Sequence, residues 1–151
     1  MSIDQDIATA ARLPLPDAAY FLWVRRLALD QRERRAPAQS GRRAKLKDQA
    51  ALAQSVAAAL SKARADRAHA ENGPTFLRLR RAHPNAGDDA LKSAIRTALK
   101  LDEDCTRFFS PSGDDFTANI ARAIAGARRE NPGFLAETYE LARAELMRTM
   151  K

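Results

Sequence analysis

Three short runs of carboxylates, Asp88-Asp89, Asp102-Glu103-Asp104 and Asp114-Asp115, are the residues best suited by type to acid–base or metal chemistry. Neighbours along a helix point in different directions, so a pair in sequence is not a pair in space. Two of the runs follow Gly87 and Gly113, where helices are expected to begin. A carboxylate there serves the exposed amides and the helix dipole. A Mg²⁺ site would need carboxylates from separate elements to converge. Zinc has less support still. His69 and His83 lack an HxxxH spacing, and Cys105, the single cysteine, has no CxxC partner, against the three or four ligands such a site demands. His83 precedes Pro84 and reads as a helix end, with its imidazole near free carbonyls. No phosphate-binding glycine loop and no Gly-x-Ser-x-Gly elbow occurs. The sequence points away from a classical enzyme and implies no metal or cofactor.

Charge is the stronger signal. RERRAPAQSGRRAKLK, residues 32 to 47, holds seven Lys/Arg and one Glu. From Arg25 to Lys47 there are nine Lys/Arg against Asp30 and Glu33, and Arg78, Arg80 and Arg81 form a second knot. Residues 1 to 83 carry sixteen Lys/Arg against eight Asp/Glu, whereas residues 84 to 151 carry ten against eleven, so the first half holds the whole excess behind the net +7. Such asymmetry points to an anionic partner or an intersubunit contact. The expected contact residues are Arg25, Arg26, Arg34, Arg35, Arg42, Arg43, Lys45, Lys47, Arg78, Arg80 and Arg81.

Two ligand classes fit that surface. One is nucleic acid, either DNA or RNA, held at its phosphates by counterion release without sequence readout. The other is an acidic protein. Few aromatic residues are interleaved with the basic ones, so stacking on single strands is not suggested. The protein-partner reading gains from the helix AYFLWVRRLAL, which Tyr20, Phe21 and Trp23 make apolar on more than one face. Trp and Tyr are enriched at interface centres, although burial inside a monomer accounts for them slightly better. Self-association through this helix would set two basic arms side by side, an arrangement suited to a duplex. The sequence therefore supports an accessory or regulatory protein that binds nucleic acid without catalysis. The alternative is an adaptor or inhibitor that docks on an acidic partner.

The elements that must position these residues all read as helical. Ala is very frequent and aromatic residues make up only 6%, a balance that favours packed helices over sheets. A first helix is expected over residues 2 to 12, capped by Ser2, with Ile3, Ile7 and Ala10 or Ala11 facing inward. LPLP ends it. A second helix runs from near Asp17, whose carboxylate serves its start, to about Ala36, with Tyr20, Trp23, Val24 and Leu27 as its stripe. After a loop at residues 37 to 41, a long Ala-rich helix spans about 42 to 71, with Lys62–Asp66 and Arg67–Glu71 as i, i+4 pairs. Asn72-Gly73-Pro74 stops it. TFLRLRRAH makes a short amphipathic piece.

Three further helices follow. The first carries Leu91, Ala94, Ile95, Ala98, Leu101 and Cys105 inward. The second carries Phe116, Ile120, Ala123 and Ala127, and the last Leu135, Tyr139, Ala142 and Leu146. AIRTALKLDEDCTRFF echoes a helix-turn-helix, but Arg96, Lys100 and the acidic Asp102-Glu103-Asp104 all fit it badly. One uninterrupted helix explains the spacing. The expected architecture is all-α: a basic helical hairpin over 1–83, packed on or linked to a three-helix unit over 84–151. A single Cys fits a reducing, cytoplasmic setting, and the Ala/Arg-rich composition has a bacterial style. MSIDQDIATAARLPL does not read as a signal peptide. The longest apolar run, AAYFLWV, falls far short of the roughly 20 residues a membrane span needs, so no membrane association is expected.

Overall fold

The computed structural model describes residues 2–35, 70–111 and 115–150. They form seven helices: α1 (Ile3–Ala11), α2 (Leu15–Val24), α3 (Arg26–Arg35), α4 (Pro74–Ala82), α5 (Asp88–Arg107), α6 (Phe116–Glu130) and α7 (Ala136–Met150). No strand occurs among the described residues, and the chain is all-helical as its composition requires. No described helix is long and apolar enough to cross a membrane. The loop expected at 37 to 41 and most of the long helix expected over 42 to 71 lie outside the described residues.

α1 begins as the sequence dictates. Ser2 Oγ accepts from the Gln5 amide at 3.2 Å, and the Gln5 side chain accepts from the Ser2 amide at 2.7 Å, a reciprocal capping box. α2 is buried nearly all round, with Ala18, Ala19, Tyr20, Leu22 and Trp23 in the core. It touches α1, α3, α4, α5 and α7. Its main partner is α5, whose Leu91, Ile95, Leu101 and Cys105 are buried at helical spacing. α5 continues unbroken from Asp88 to Arg107, so Lys100 marks no turn and the helix-turn-helix echo has no structural counterpart.

Two expectations for the second helix are corrected. It does not run unbroken to Ala36: the chain turns at Arg25 (φ −96°, ψ 6°) and restarts as α3. The bend brings Arg25 and Arg32 together on Asp6. It also takes Leu27 off the inner stripe, leaving it 56% exposed, while Leu29 is buried instead. Asp17 lies in the first turn of α2, as expected, although no side-chain hydrogen bond caps that helix. Asp17 is buried, and its Oδ1 accepts from the Leu135 amide at 2.8 Å and from the Thr138 hydroxyl. It satisfies free donors at the beginning of α7.

The turn from α6 to α7 is tied from several sides. Gly133 adopts φ +103°, which a side chain would disfavour. The Tyr139 hydroxyl donates to the Asn131 carbonyl at 2.5 Å and accepts from the Phe134 amide. Asn131 in turn donates to Asp104 at 2.8 Å, where Lys100 and Arg107 also converge at 2.9 and 3.0 Å. Burial alone would raise the Asp104 pKa, but the hydrogen bonds from Lys100, Asn131 and Arg107 outweigh it and hold the carboxyl at about 2. Asp115 caps α6 through the Ala118 amide at 3.1 Å, and Asp88 and Asp89 occupy the first turn of α5. These are the helix-start roles expected of such carboxylates. His83 ends α4 and places Nε2 3.0 Å from the Ala10 carbonyl, in the last turn of α1.

Replacing Asp17 by Ala strips two buried donors of their acceptor and should lower stability by about 2–3 kcal/mol in urea titration. A loss below about 0.5 kcal/mol would contradict the capping role. For Asp104 the folded pKa lies below its ordinary value, so its contribution is present above about pH 4. The contribution disappears as pH falls through about 2. The stability difference between the native chain and Asp104→Asn should therefore be constant from pH 5 to 7, as ordinary carboxylate pKa values require, and shrink in acid.

Candidate nucleic-acid interface

The expected basic surface begins at α1. Ile3, Asp6 and Ala10 share its inner face by i, i+3 and i+4 spacing, which puts a carboxylate where an apolar residue would be usual. Asp6 is fully buried. Its Oδ2 receives Arg25 Nε at 3.0 Å and Arg32 Nη1 at 3.2 Å. On α3, Asp30 and Glu33 face Arg78 of α4. Arg78 Nη2 lies 2.6 Å from Asp30 Oδ1, and Nε lies 3.0 Å from Glu33 Oε1. Arg78 is only 5% exposed. Burial works against its charge, yet the hydrogen bonds to Glu33 and Asp30 outweigh that cost and raise its pKa further.

Arg80, Arg81 and Arg26 are similarly engaged. Arg80 pairs with Asp88 at 2.8 Å and lies over the Phe76 ring. Arg81 pairs with Asp4. Arg26 stacks 3.7 Å above the Trp23 ring and donates to the Trp23 carbonyl at 2.9 Å. Arg34 stands exposed at the end of α3. Arg35 is described by its backbone alone, and Arg42, Arg43, Lys45 and Lys47 lie outside the described residues. Among the described residues Arg25 and Arg78 thus flank α3 but face carboxylates, and these two arginines form no bare groove between them.

The aromatic residues expected at a protein interface are also placed. Tyr20 and Trp23 are each 1% exposed and belong to the core. Phe21 is half-buried with Arg25 over its ring at 5.6 Å.

Sequence reasoning passed over Asp6, and it counted Asp30 and Glu33 against the basic run without seeing that they pair with Arg78. The spacing did contain a signal for two of the partners. Asp6 shares the inner face of α1, and Arg78 shares that of α4 with Thr75, Leu79 and Ala82. A charged residue on an inner face demands a charged partner. Once the pairs are counted, the charge divides sharply. The described residues hold eighteen Lys/Arg against sixteen Asp/Glu, whereas residues 36 to 69 hold seven against two.

Among the described residues no group of His, Cys, Asp and Glu could hold a metal ion. Cys105 is buried, and burial followed by the fields of Asp102 and Asp104 pushes its thiol up to about 12. It is no nucleophile near neutral pH.

Replacing Arg78 by Ala leaves Asp30 and Glu33 facing a buried gap. Urea titration should register a loss of about 3 kcal/mol, while Arg34→Ala should stay within about 0.5 kcal/mol of the native chain. Equal effects would contradict the distinction between paired and exposed arginines. Comparison of the chain with protein-family models, with curated proteins and with solved structures returns no match.

Proposed function

We propose that the chain is a non-enzymatic, nucleic-acid-binding accessory protein of the cytoplasm. Its phosphate contacts would come from Arg34, Arg35, Arg42, Arg43, Lys45 and Lys47, while Arg25, Arg26, Arg78, Arg80 and Arg81 serve the fold. The charge partition supports this assignment: a near-neutral helical scaffold adjoins one stretch with a surplus of five positive charges in 34 residues. A stretch with such an excess of Lys and Arg attracts a polyphosphate through counterion release. An acidic protein partner docking around Trp23 finds less support, because Tyr20 and Trp23 are already covered.

Affinity for duplex DNA and for RNA should fall steeply with salt. Changing Arg42, Arg43, Lys45 and Lys47 together to Ala should reduce the slope of log K against log salt by about 3–4 for DNA. The double variant Arg80→Ala, Arg81→Ala should leave that slope nearly unchanged. Absence of binding to either nucleic acid at low salt would sink the assignment.

A further inference from the structure

The turn that leads into α4 contains Asn72-Gly73, the one Asn-Gly pair in the chain. An asparagine side-chain amide can be attacked by the nitrogen of the following residue, closing a five-membered ring. Glycine in that second position permits the attack best, because no Cβ crowds the nitrogen or restricts its torsions. The surroundings favour the reaction. Asn72 is exposed, and residues 70 to 72 form a turn rather than a helix. Gly73 is the N-cap of α4, extended at φ −104° and ψ −158°, so its nitrogen lies ahead of that helix's hydrogen-bond ladder.

The other three asparagines are each protected. Asn85 is followed by Ala86, whose amide already donates to the His83 carbonyl at 3.1 Å. Asn119 is buried within α6, where the next amide belongs to helical backbone. Asn131 is buried and precedes Pro132, which has no amide proton to lose.

We propose that Asn72 is a site of spontaneous deamidation, with water as the only co-reactant. The Gly73 nitrogen gives its proton to solvent hydroxide and bonds to Asn72 Cγ. The side-chain nitrogen takes a proton from water and leaves as ammonia. A second water then opens the succinimide. Cleavage of the new Cγ–N bond leaves aspartate on the original backbone. Cleavage between the main-chain carbonyl carbon and the Gly73 nitrogen leaves isoaspartate, whose main chain is one carbon longer.

Either product adds a negative charge beside the basic stretch, where residues 36 to 69 hold seven Lys/Arg against two Asp/Glu. The products differ in their effect on the fold. α4 has no acidic residue in its first turn and no side-chain cap, so aspartate at 72 stands near a helix start that favours negative charge. Isoaspartate lengthens a short bridge anchored at both ends, by buried Ala70 on one side and by buried Thr75 and Phe76 on the other. The reaction is independent of any nucleic-acid contact.

Trypsin places the four asparagines on separate peptides, with Asn72 in residues 68 to 78. The folded full chain should therefore be incubated at pH 8 and mapped by mass spectrometry over time. Peptide 68–78 should gain the mass difference between amide and acid, as paired aspartyl and isoaspartyl forms. The peptides bearing Asn85, Asn119 and Asn131 should stay unchanged over the same interval. Gly73→Ala, at a backbone conformation open to a side chain, should slow the conversion severalfold. The purified isoaspartyl chain should unfold at lower urea than Asn72→Asp, which carries the same charge on the original backbone. The proposal is overturned by no acid at position 72, by equal conversion at Asn85 in the folded chain, or by an unchanged rate in Gly73→Ala. Equal urea midpoints would overturn the cost assigned to the longer backbone.

Discussion

Tyr20, Leu22 and Trp23 project from α2 in different directions, and all three are buried. A ten-residue helix with no face in water must be enclosed, and α1, α3, α4, α5 and α7 supply the enclosure. Fully burying side chains of this size contributes about 1.5–3 kcal/mol each, so the remaining helices are arranged to complete that shell. Asp17 near one end of α2 and Arg25 just past the other bond to remote elements, to the start of α7 and to Asp6. The polar interactions of the fold follow from the apolar ones.

α3 is oriented by a different force. Leu29 is its one fully buried hydrophobic residue among the described side chains, too little to fix a ten-residue helix by packing. Its position is set by Arg32 on Asp6 and by Asp30 and Glu33 on Arg78. Buried ion pairs repay much of their attraction in lost hydration, so their net stabilisation is small. Breaking one pair, however, leaves a buried charge uncompensated. They specify one register strongly while adding little to overall stability.

Local chemistry was legible in the sequence. Ser2 declared the first cap, and the apolar spacing of α5 declared one long helix. Features decided by distant partners were not legible. Nothing near Arg25 marks the bend, because Asp6 lies nineteen residues away. Leu27 falls on the stripe of an ideal helix, and only the bend exposes it. The arginines were identified by type, but a count of charge along the chain cannot see pairings such as Arg78 with Glu33 or Asp30, 45 and 48 residues apart. The possibility that the second helix was core was open in the sequence.

The bond from Asp17 to the Leu135 amide joins residues 118 positions apart, and this separation has a consequence during synthesis. At about 5–20 residues per second, α2 is made roughly 6–24 s before the segment that binds its first turn. During that interval a helix apolar on every side has only part of its shell, and Trp23 waits for its acceptor Asp102. The nascent chain thus exposes this apolar helix early and completes its cover late. Chaperone dependence in this protein should be governed by the order of translation.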